Sequence, residues 1–459
     1  MFDPQIYRAR RDHLRESLDG GVVLLPAAAP MPRTYAENVY PYRQSSHLLY
    51  YLGLTDPGLF LLSYPAESRD VLYGDPVTMD DVIWCGPKAS LEERAALAGI
   101  DEVAPAEQLI VDLASFAEGD VHYLPPFQRE VVATLARLLG WNGPRVLEGS
   151  SPALVQAVAE QRLIKGPEEV AEIEEALVVT ASAYRQAMAA LRPGLYERDI
   201  AGLIQGVALR EDRAQAFQPI TTIHGEVLHN ESRSQRLDDG QLMLIDSGAE
   251  SARGYASDIT RTLPVSGRFS PRQRAIYDIV LAAQRTAIRA TRPGRSYLEV
   301  HLESARVVAD GLIGEGLMRG NVDEAVAAGA HALFFPHGLG HALGIDVHDM
   351  EDLGDAVGYA PGEGRSEQFG LAALRFAREL RPGHVVTAEP GIYFIPALID
   401  QWAAAGNHEA FIDYEALDDW RDFGGIRIED DVLVTDRGSQ VLGPPIPRGA
   451  DAIESSMES

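Results

Sequence analysis

Four acids and a crowded run of histidines are the groups in this 459-residue chain best suited to chemistry. Asp246 ends the apolar run Leu242–Ile245, and Asp258 follows twelve residues later with Gly248 and Gly254 between them. That spacing predicts a hairpin that projects both carboxylates from adjacent strands. In Ile426-Arg427-Ile428-Glu429 the residue types alternate, so extended geometry puts Arg427 and Glu429 on one face. Glu389 closes a further apolar run, Val385–Ala388. Any one of these acids reads as a surface or salt-bridged group. Four on paired strands would repel one another in a core unless cations neutralise them.

The imidazoles come from Phe335–Asp349, where His337, His341 and His348 are interleaved with Gly338, Gly340 and Gly344. That many glycines rules out a regular helix. His337 and His341 stand four apart, yet no Glu follows the first His as a zincin helix requires. A core histidine would account for one of the three. It does not account for three beside glycines that let the backbone come close to a ligand. Carboxylates with one imidazole suit manganese, cobalt or zinc. His229, alone before a turn, reads as structural when taken by itself.

These residues need rigid strands, and the chain is long enough to supply them, since single cores stop growing at roughly 250–300 residues. The first part reads as a smaller α/β domain over residues 1–160. Its strands are Val22–Pro26 and Leu59–Ser63, its helices Ser90–Ala98 and Arg129–Leu139, and the breakers Asn142-Gly-Pro144 and Gly149–Pro152 place the boundary nearby. Residues 161–445 then form the main domain, and 446–459 a C-terminal tail.

Within the main domain a helix starting at Pro167 runs to about Leu191 and stops at Arg192-Pro-Gly194; another, Pro271–Ala290, stops at Arg292-Pro-Gly294. Leu237-Asp-Asp-Gly240…Asp246 also echoes Leu380-Arg-Pro-Gly383…Glu389. Two echoes in the same order point to internal duplication, with Asp246 and Glu389 at equivalent places. Gly354–Gly364 and Gln401–Trp420 read as surface insertions.

Composition excludes other classes. The hydrophobic share is 46% and the charged share 24%, an ordinary globular balance. A formal charge of −28 would repel phosphate backbones, so no nucleic-acid partner is expected. The lone Cys85 excludes a disulfide framework and a cysteine zinc site. With no apolar run near the roughly 20 residues that cross a bilayer, and no signal-peptide core in the first residues, a cytoplasmic protein without membrane partner is expected.

Taken together, Ile245-Asp246-Ser-Gly248, Ser257-Asp258-Ile-Thr-Arg-Thr262, His337–Asp349, Glu389-Pro-Gly-Ile-Tyr393 and Arg427-Ile-Glu429-Asp430-Asp431 resemble the pita-bread metallopeptidases. Within them the array is similar to aminopeptidase P and prolidase. Tyr40-Pro-Tyr-Arg-Gln44 and Tyr51-Leu-Gly53 resemble the aminopeptidase P N-terminal domain. The resemblance implies an α+β fold: an internally duplicated, creatinase/aminopeptidase-like pita-bread domain, preceded by a smaller creatinase-type α/β domain.

It also implies two divalent metal ions, manganese first and zinc or cobalt otherwise, held by Asp246, Asp258, His341, Glu389 and Glu429. Asp258 and Glu429 would bridge the ions, and Glu389 would take the proton of the attacking water. His337 would lie near the substrate amide, while His348 and His229 would stabilise the oxyanion or the proline ring. Arg427 would orient Glu429, and Tyr393 would bind substrate.

The implied reaction is hydrolysis of Xaa-Pro bonds at the N-terminus of short peptides, by a homodimer or larger homo-oligomer. The long gaps from His348 to Glu389 and on to Glu429, with Leu374-Arg375-Phe-Ala-Arg378, look closer to prolidase. There Arg375 would grip a dipeptide carboxylate. The loop Ile220–His229 is shorter than usual in the family, which leaves specificity open. A non-catalytic binding module is the remaining alternative, although such relatives lose metal ligands and this chain keeps all five.

Overall fold

The computed structural model describes residues 1–117 and 119–458. The chain divides into two compact units, Met1–Arg162 with Met350–Val357, and Leu163–Asp349 with Gly358 onward.

In the first unit five strands form one sheet: β1 (Val22–Pro26), β2 (Phe60–Tyr64), β3 (Arg69–Tyr73), β4 (Glu102–Ala104) and β5 (Val121–His122), in the order β4-β3-β2-β1-β5. Period-two alternation sends Val22, Leu24, Leu62, Tyr64, Val71 and Tyr73 to one face, against Leu109, Leu113, Leu135 and Leu138. Val23, Leu25, Leu61 and Leu72 are also buried, so the sheet is covered on both sides.

The breakers at Asn142–Pro152 do not end this unit. Asn142 instead caps the helix Gly143–Glu148 by accepting from the Arg145 N–H, with proline in its first turn. A further helix, Pro152–Leu163, follows before the unit ends at Arg162. Met350–Val357, which overlaps only the start of the expected insertion Gly354–Gly364, also belongs to this unit, where Asp352 Oδ2 meets His47 Nε2 at 3.0 Å.

The second unit is built twice over. Helices Pro167–Ala190 and Glu197–Arg210 form the first antiparallel pair, and Pro271–Ala290 and Tyr297–Gly314 the second. Ser270 and Ser296 cap the second pair with Gln273 and Glu299 in capping boxes. Each pair is joined through its Arg-Pro-Gly turn, and the backbone bonds repeat. Gly194 N–H donates to Leu237 O at 2.8 Å, and Gly294 N–H to Leu380 O at 2.9 Å. Leu237 N–H then donates to Leu195 O, and Leu380 N–H to Arg295 O, both at 2.7 Å.

Each half carries a three-stranded antiparallel sheet. The first contains β6 (Ile220–Thr222), β7 (Leu242–Ser247) and β8 (Ile259–Pro264). Strands β9 (Val385–Ala388), β10 (Gly391–Tyr393), β11 (Gly425–Arg427), β12 (Asp430–Thr435) and β13 (Gly438–Val441) follow, with β9, β12 and β13 forming the second sheet and β10 paired to β11. Arg261, fully buried, laces the halves together by donating to Glu429 O at 2.6 Å and to Asp430 Oδ1 at 2.7 Å. The last residues, expected as a tail, coil into the helix Ala450–Met457, which buries Ala450 and Ile453.

Candidate metal centre

Strand ends place the four acids. Asp246 lies on β7 opposite Ile220 and Thr260. Asp258 immediately precedes β8, Glu389 follows β9, and Glu429 occupies the break between β11 and β12. The alternation expected across Arg427 and Glu429 is therefore interrupted, yet both still reach the same place. Thr260 Oγ1 donates to Glu429 Oε2 at 2.7 Å and accepts from Arg427 Nε at 3.1 Å.

His341 is brought in by backbone pairing with β9. Its N–H donates to Thr387 Oγ1 at 3.1 Å, and Thr387 N–H donates back to His341 O at 3.0 Å. This approach requires Gly340, where a Cβ would lie 2.1 Å from Thr387 O. The Nδ1–H donates to Ala342 O at 3.1 Å, which leaves Nε2 as a lone pair 3.5 Å from both Asp258 Oδ2 and Glu389 Oε1.

These residues fit a cation. Ligand atoms of Asp258, His341 and Glu429 lie within 4.8 Å of one another. Asp246 Oδ1, Asp258 Oδ1 and Glu429 Oε1 are buried without a hydrogen-bond partner, an arrangement that costs free energy unless something positive faces them. Burial, then mutual repulsion among the acids, raises the Asp258 and Glu429 carboxyls well above the usual range. Burial pushes Glu389 up to about 8, although Arg427 opposes the shift. Burial likewise keeps His341 neutral, with His348 reinforcing it. The acid cluster supplies negative charge and the imidazole a neutral nitrogen, which is the donor set a hard or borderline divalent ion requires.

Around the centre lies a cleft of about 520 Å³. His229, Asp246, Asp258, His337, His341, His348, Arg375, Glu389, Arg427 and Glu429 all line it. Phe217, Pro219, Ile220, Leu228 and Val347 give it an apolar wall. His348 sets its ring edge-on to His341 at 4.2 Å, and burial depresses it to about 4. Arg375 is half-buried after a short 3-10 turn rather than on a helix surface.

Tyr393 does not line the cleft; it is fully buried, donating to His337 Nε2 at 2.9 Å and accepting from Arg427 Nη1 at 3.1 Å. From behind the wall its hydroxyl supports both His337 and Arg427. His337 donates its Nδ1–H to Gly338 O at 2.8 Å, so both its nitrogens are engaged by the protein. Arg427, expected to orient Glu429, shares Thr260 Oγ1 with it and also donates directly to Asp246 Oδ2 at 2.6 Å.

Thr260, Thr387 and Asp431 escaped sequence reasoning. Asp431 Oδ2 accepts from the Asp258 N–H at 3.0 Å. Their signal was adjacency to the carboxylates within the same short motifs.

Two duplicated halves that bury acids and an imidazole beside an apolar cleft define a metallopeptidase-type centre. Residues 171–436 match the metallopeptidase family M24, and residues 7–123 match the aminopeptidase P, N-terminal domain. The chain belongs to the metallopeptidase family M24, in its aminopeptidase P group.

It is 33% identical to an Xaa-Pro aminopeptidase of Escherichia coli, over 99% of this chain and 97% of that protein. It is 30% identical to a human Xaa-Pro dipeptidase, over 95% and 89%. The solved structure of Pseudomonas aeruginosa aminopeptidase PepP superposes with a TM-score of 0.82 at 31% identity, covering 100% of this chain and 99% of that one. The α+β, internally duplicated architecture implied by the motifs is thus the one adopted, and the family implies divalent metal.

Proposed function

We propose that this protein is an Xaa-Pro aminopeptidase that removes the residue before proline from short peptides, using two divalent ions, manganese in the native state. The observation that carries the reading is the set of buried, partnerless carboxylate oxygens on Asp246, Asp258 and Glu429, converging with His341 at the foot of an apolar cleft. Asp246, Asp258, His341, Glu389 and Glu429 would hold the metal. When bound, the ions supply the positive charge that acidifies water and polarises the scissile carbonyl.

The chain's own groups do the rest. Glu389, at the foot of the cleft, is placed to accept a proton at its carboxylate and return it to the leaving amine nitrogen of proline. His229 and His348 are neutral, because burial lowers both, so each can offer an N–H to the carbonyl oxygen without adding charge. The apolar wall of Phe217, Ile220 and Leu228 suits a proline ring. An Xaa-Pro bond lacks an N–H, so a site that recognises the ring rather than the amide proton can accept it.

The reading is tested on Xaa-Pro, Xaa-Pro-Yaa and non-proline peptides with manganese and with zinc. Cleavage of Xaa-Pro-Yaa with release of the first residue is expected; indifference to proline would overturn it. A second reading, a dipeptidase, rests on Arg375 in the cleft, where a planar guanidinium can grip a free carboxylate. It requires that Arg375→Ala raise KM for Xaa-Pro dipeptides alone, by roughly 10- to 100-fold, the worth of a charged hydrogen bond.

Arg427 gives a separate prediction. Its guanidinium fixes Asp246, Thr260 and Tyr393 at once. Arg427→Ala should weaken metal binding or turnover by roughly 10- to 100-fold, as loss of a group that orients ligands does. Calorimetric titration with manganese, beside kcat/KM, reads the two effects, and wild-type values for both would remove Arg427 from the site.

A further inference from the structure

We propose that Lys165 is a positioning residue for the imidazoles of His341 and His348, acting through Asp349; the inference rests on the functional reading above. Lys165 Nζ lies 2.8 Å from Asp349 Oδ2, and both side chains are only 1% exposed. Burying two charges is expensive, and a hydrophobic pair of equal volume would serve stability as well. Such a pair fixes position rather than adding stability. Lys165 does not line the cleft, so it touches neither substrate nor metal.

The route from Lys165 to the centre is short. Asp349 ends the turn that begins at His341, and its N–H donates to Ala342 O at 2.9 Å. The same Ala342 carbonyl accepts the Nδ1–H of His341 at 3.1 Å, the bond that aims Nε2 at Asp258 and Glu389. Asp349 is also the next residue after His348, whose ring stands 4.2 Å from that of His341. The carboxylate is seated inside the turn against Gly344, where a Cβ would fall 2.4 Å from Asp349 Oδ2. On the other side, the Lys165 backbone N–H is anchored on Gly383 O at 2.9 Å, two residues before β9. One ammonium thus ties the end of the histidine turn to the strand that carries Thr387 and leads into Glu389.

Lys165→Met, Lys165→Arg and the double variant Lys165→Met/Asp349→Asn test this in the full-length protein. For Lys165→Met, manganese affinity measured by calorimetry should fall roughly 10- to 100-fold, the loss seen when an outer partner of a ligand is removed. The visible absorption of the cobalt-substituted protein should shift, and kcat should fall while KM holds. Lys165→Arg should restore most of the affinity. Should the lone Asp349 charge prevent Lys165→Met from folding, the double variant, which buries no unpaired charge, reads the same effect.

A merely structural lysine would lower the melting temperature and leave metal affinity and the cobalt spectrum of the folded protein unchanged, which overturns the proposal. If the wild type binds metal and cleaves Xaa-Pro-Yaa while the folded variants match it, only the role of Lys165 fails. If the wild type does neither, the functional reading fails and takes this inference with it.

Discussion

Asp258→Ala should lower kcat/KM on Xaa-Pro-Yaa peptides by at least about 10³-fold, a loss of about 4 kcal/mol of transition-state stabilisation. Asp258 is one of the two acids grouped with His341 at the centre. Its Oδ2 faces His341 Nε2 at 3.5 Å, its Oδ1 has no protein partner, and its side chain is buried. Removing it would take away one of the three groups whose ligand atoms lie within 4.8 Å of one another, whereas removing Arg427 would take away a group that holds Asp246 in place. Manganese binding should weaken in step, and calorimetric titration checks this on the protein used for kinetics. Near-normal turnover by Asp258→Ala would sink the metal assignment.

The same variant series separates function from stability. In the presence of a chelator, Asp258→Asn should melt higher than the wild type, because a neutral amide avoids the cost of burying an ionisable carboxyl there and its repulsion with Glu429, Asp246 and Glu389. At roughly 2–4 °C per kcal/mol for a unit of this size, even partial relief is measurable. A ligand set that destabilises the empty protein is the expected signature of residues placed for a metal rather than for folding.

Much of this was legible in the sequence because it depends on local rules. The Arg-Pro-Gly turns at 192–194 and 292–294 end helices wherever they occur, and the structure repeats their backbone bonds at Leu237 and Leu380. The six-residue step from Gly240 to Asp246 and from Gly383 to Glu389 places each carboxylate at the end of a strand, since side-chain direction follows count along a strand.

What was not legible depends on partners distant in sequence. Asn142 looked like a linker residue, yet a side chain that breaks a strand also caps a helix, and only the following turn decides between them. Tyr393 read as a substrate contact because its motif adjoins Glu389, but its hydroxyl is taken by His337 and Arg427. Lys165 gave no signal at all, since its partner lies 184 residues away. Arg427 meets Glu429 at Thr260 Oγ1, but its bond to Asp246 joins residues 181 apart, which alternation along one strand does not reveal.

The second large effect concerns pH. A carboxyl with a raised folded pKa holds its proton more tightly in the folded protein than in the unfolded chain. Between the ordinary and the raised value the folded state binds more protons, so stability falls as pH rises through that window. For Glu389 the window runs from 4.5 to about 8, and Asp258 and Glu429 shift in the same direction. Buried imidazoles act oppositely. Burial lowers His301 to about 3 and His331 to about 4, and the ring nitrogens of both lack partners, so acid below the ordinary 6.5 favours the unfolded chain. His229, His337, His341, His348 and His408 are lowered in the same direction, so only from about pH 7.5, a unit above the ordinary value, are the histidines largely neutral in both states and the slope set mainly by the acids. Protein treated with a chelator should therefore lose stability from pH 7.5 to 8.5, by about 1.4 kcal/mol per pH unit for each carboxyl still protonated. Saturating manganese should abolish or reverse the trend, because metal replaces those protons and binds more tightly as they leave. Glu389→Gln should flatten the chelated slope by one group's share. Melting midpoints at pH 7.5, 8 and 8.5, with chelator and with manganese, decide the matter: a chelated midpoint that holds or rises across this range would show that the acids are not held protonated, and that their convergence is not what makes the centre a cation site.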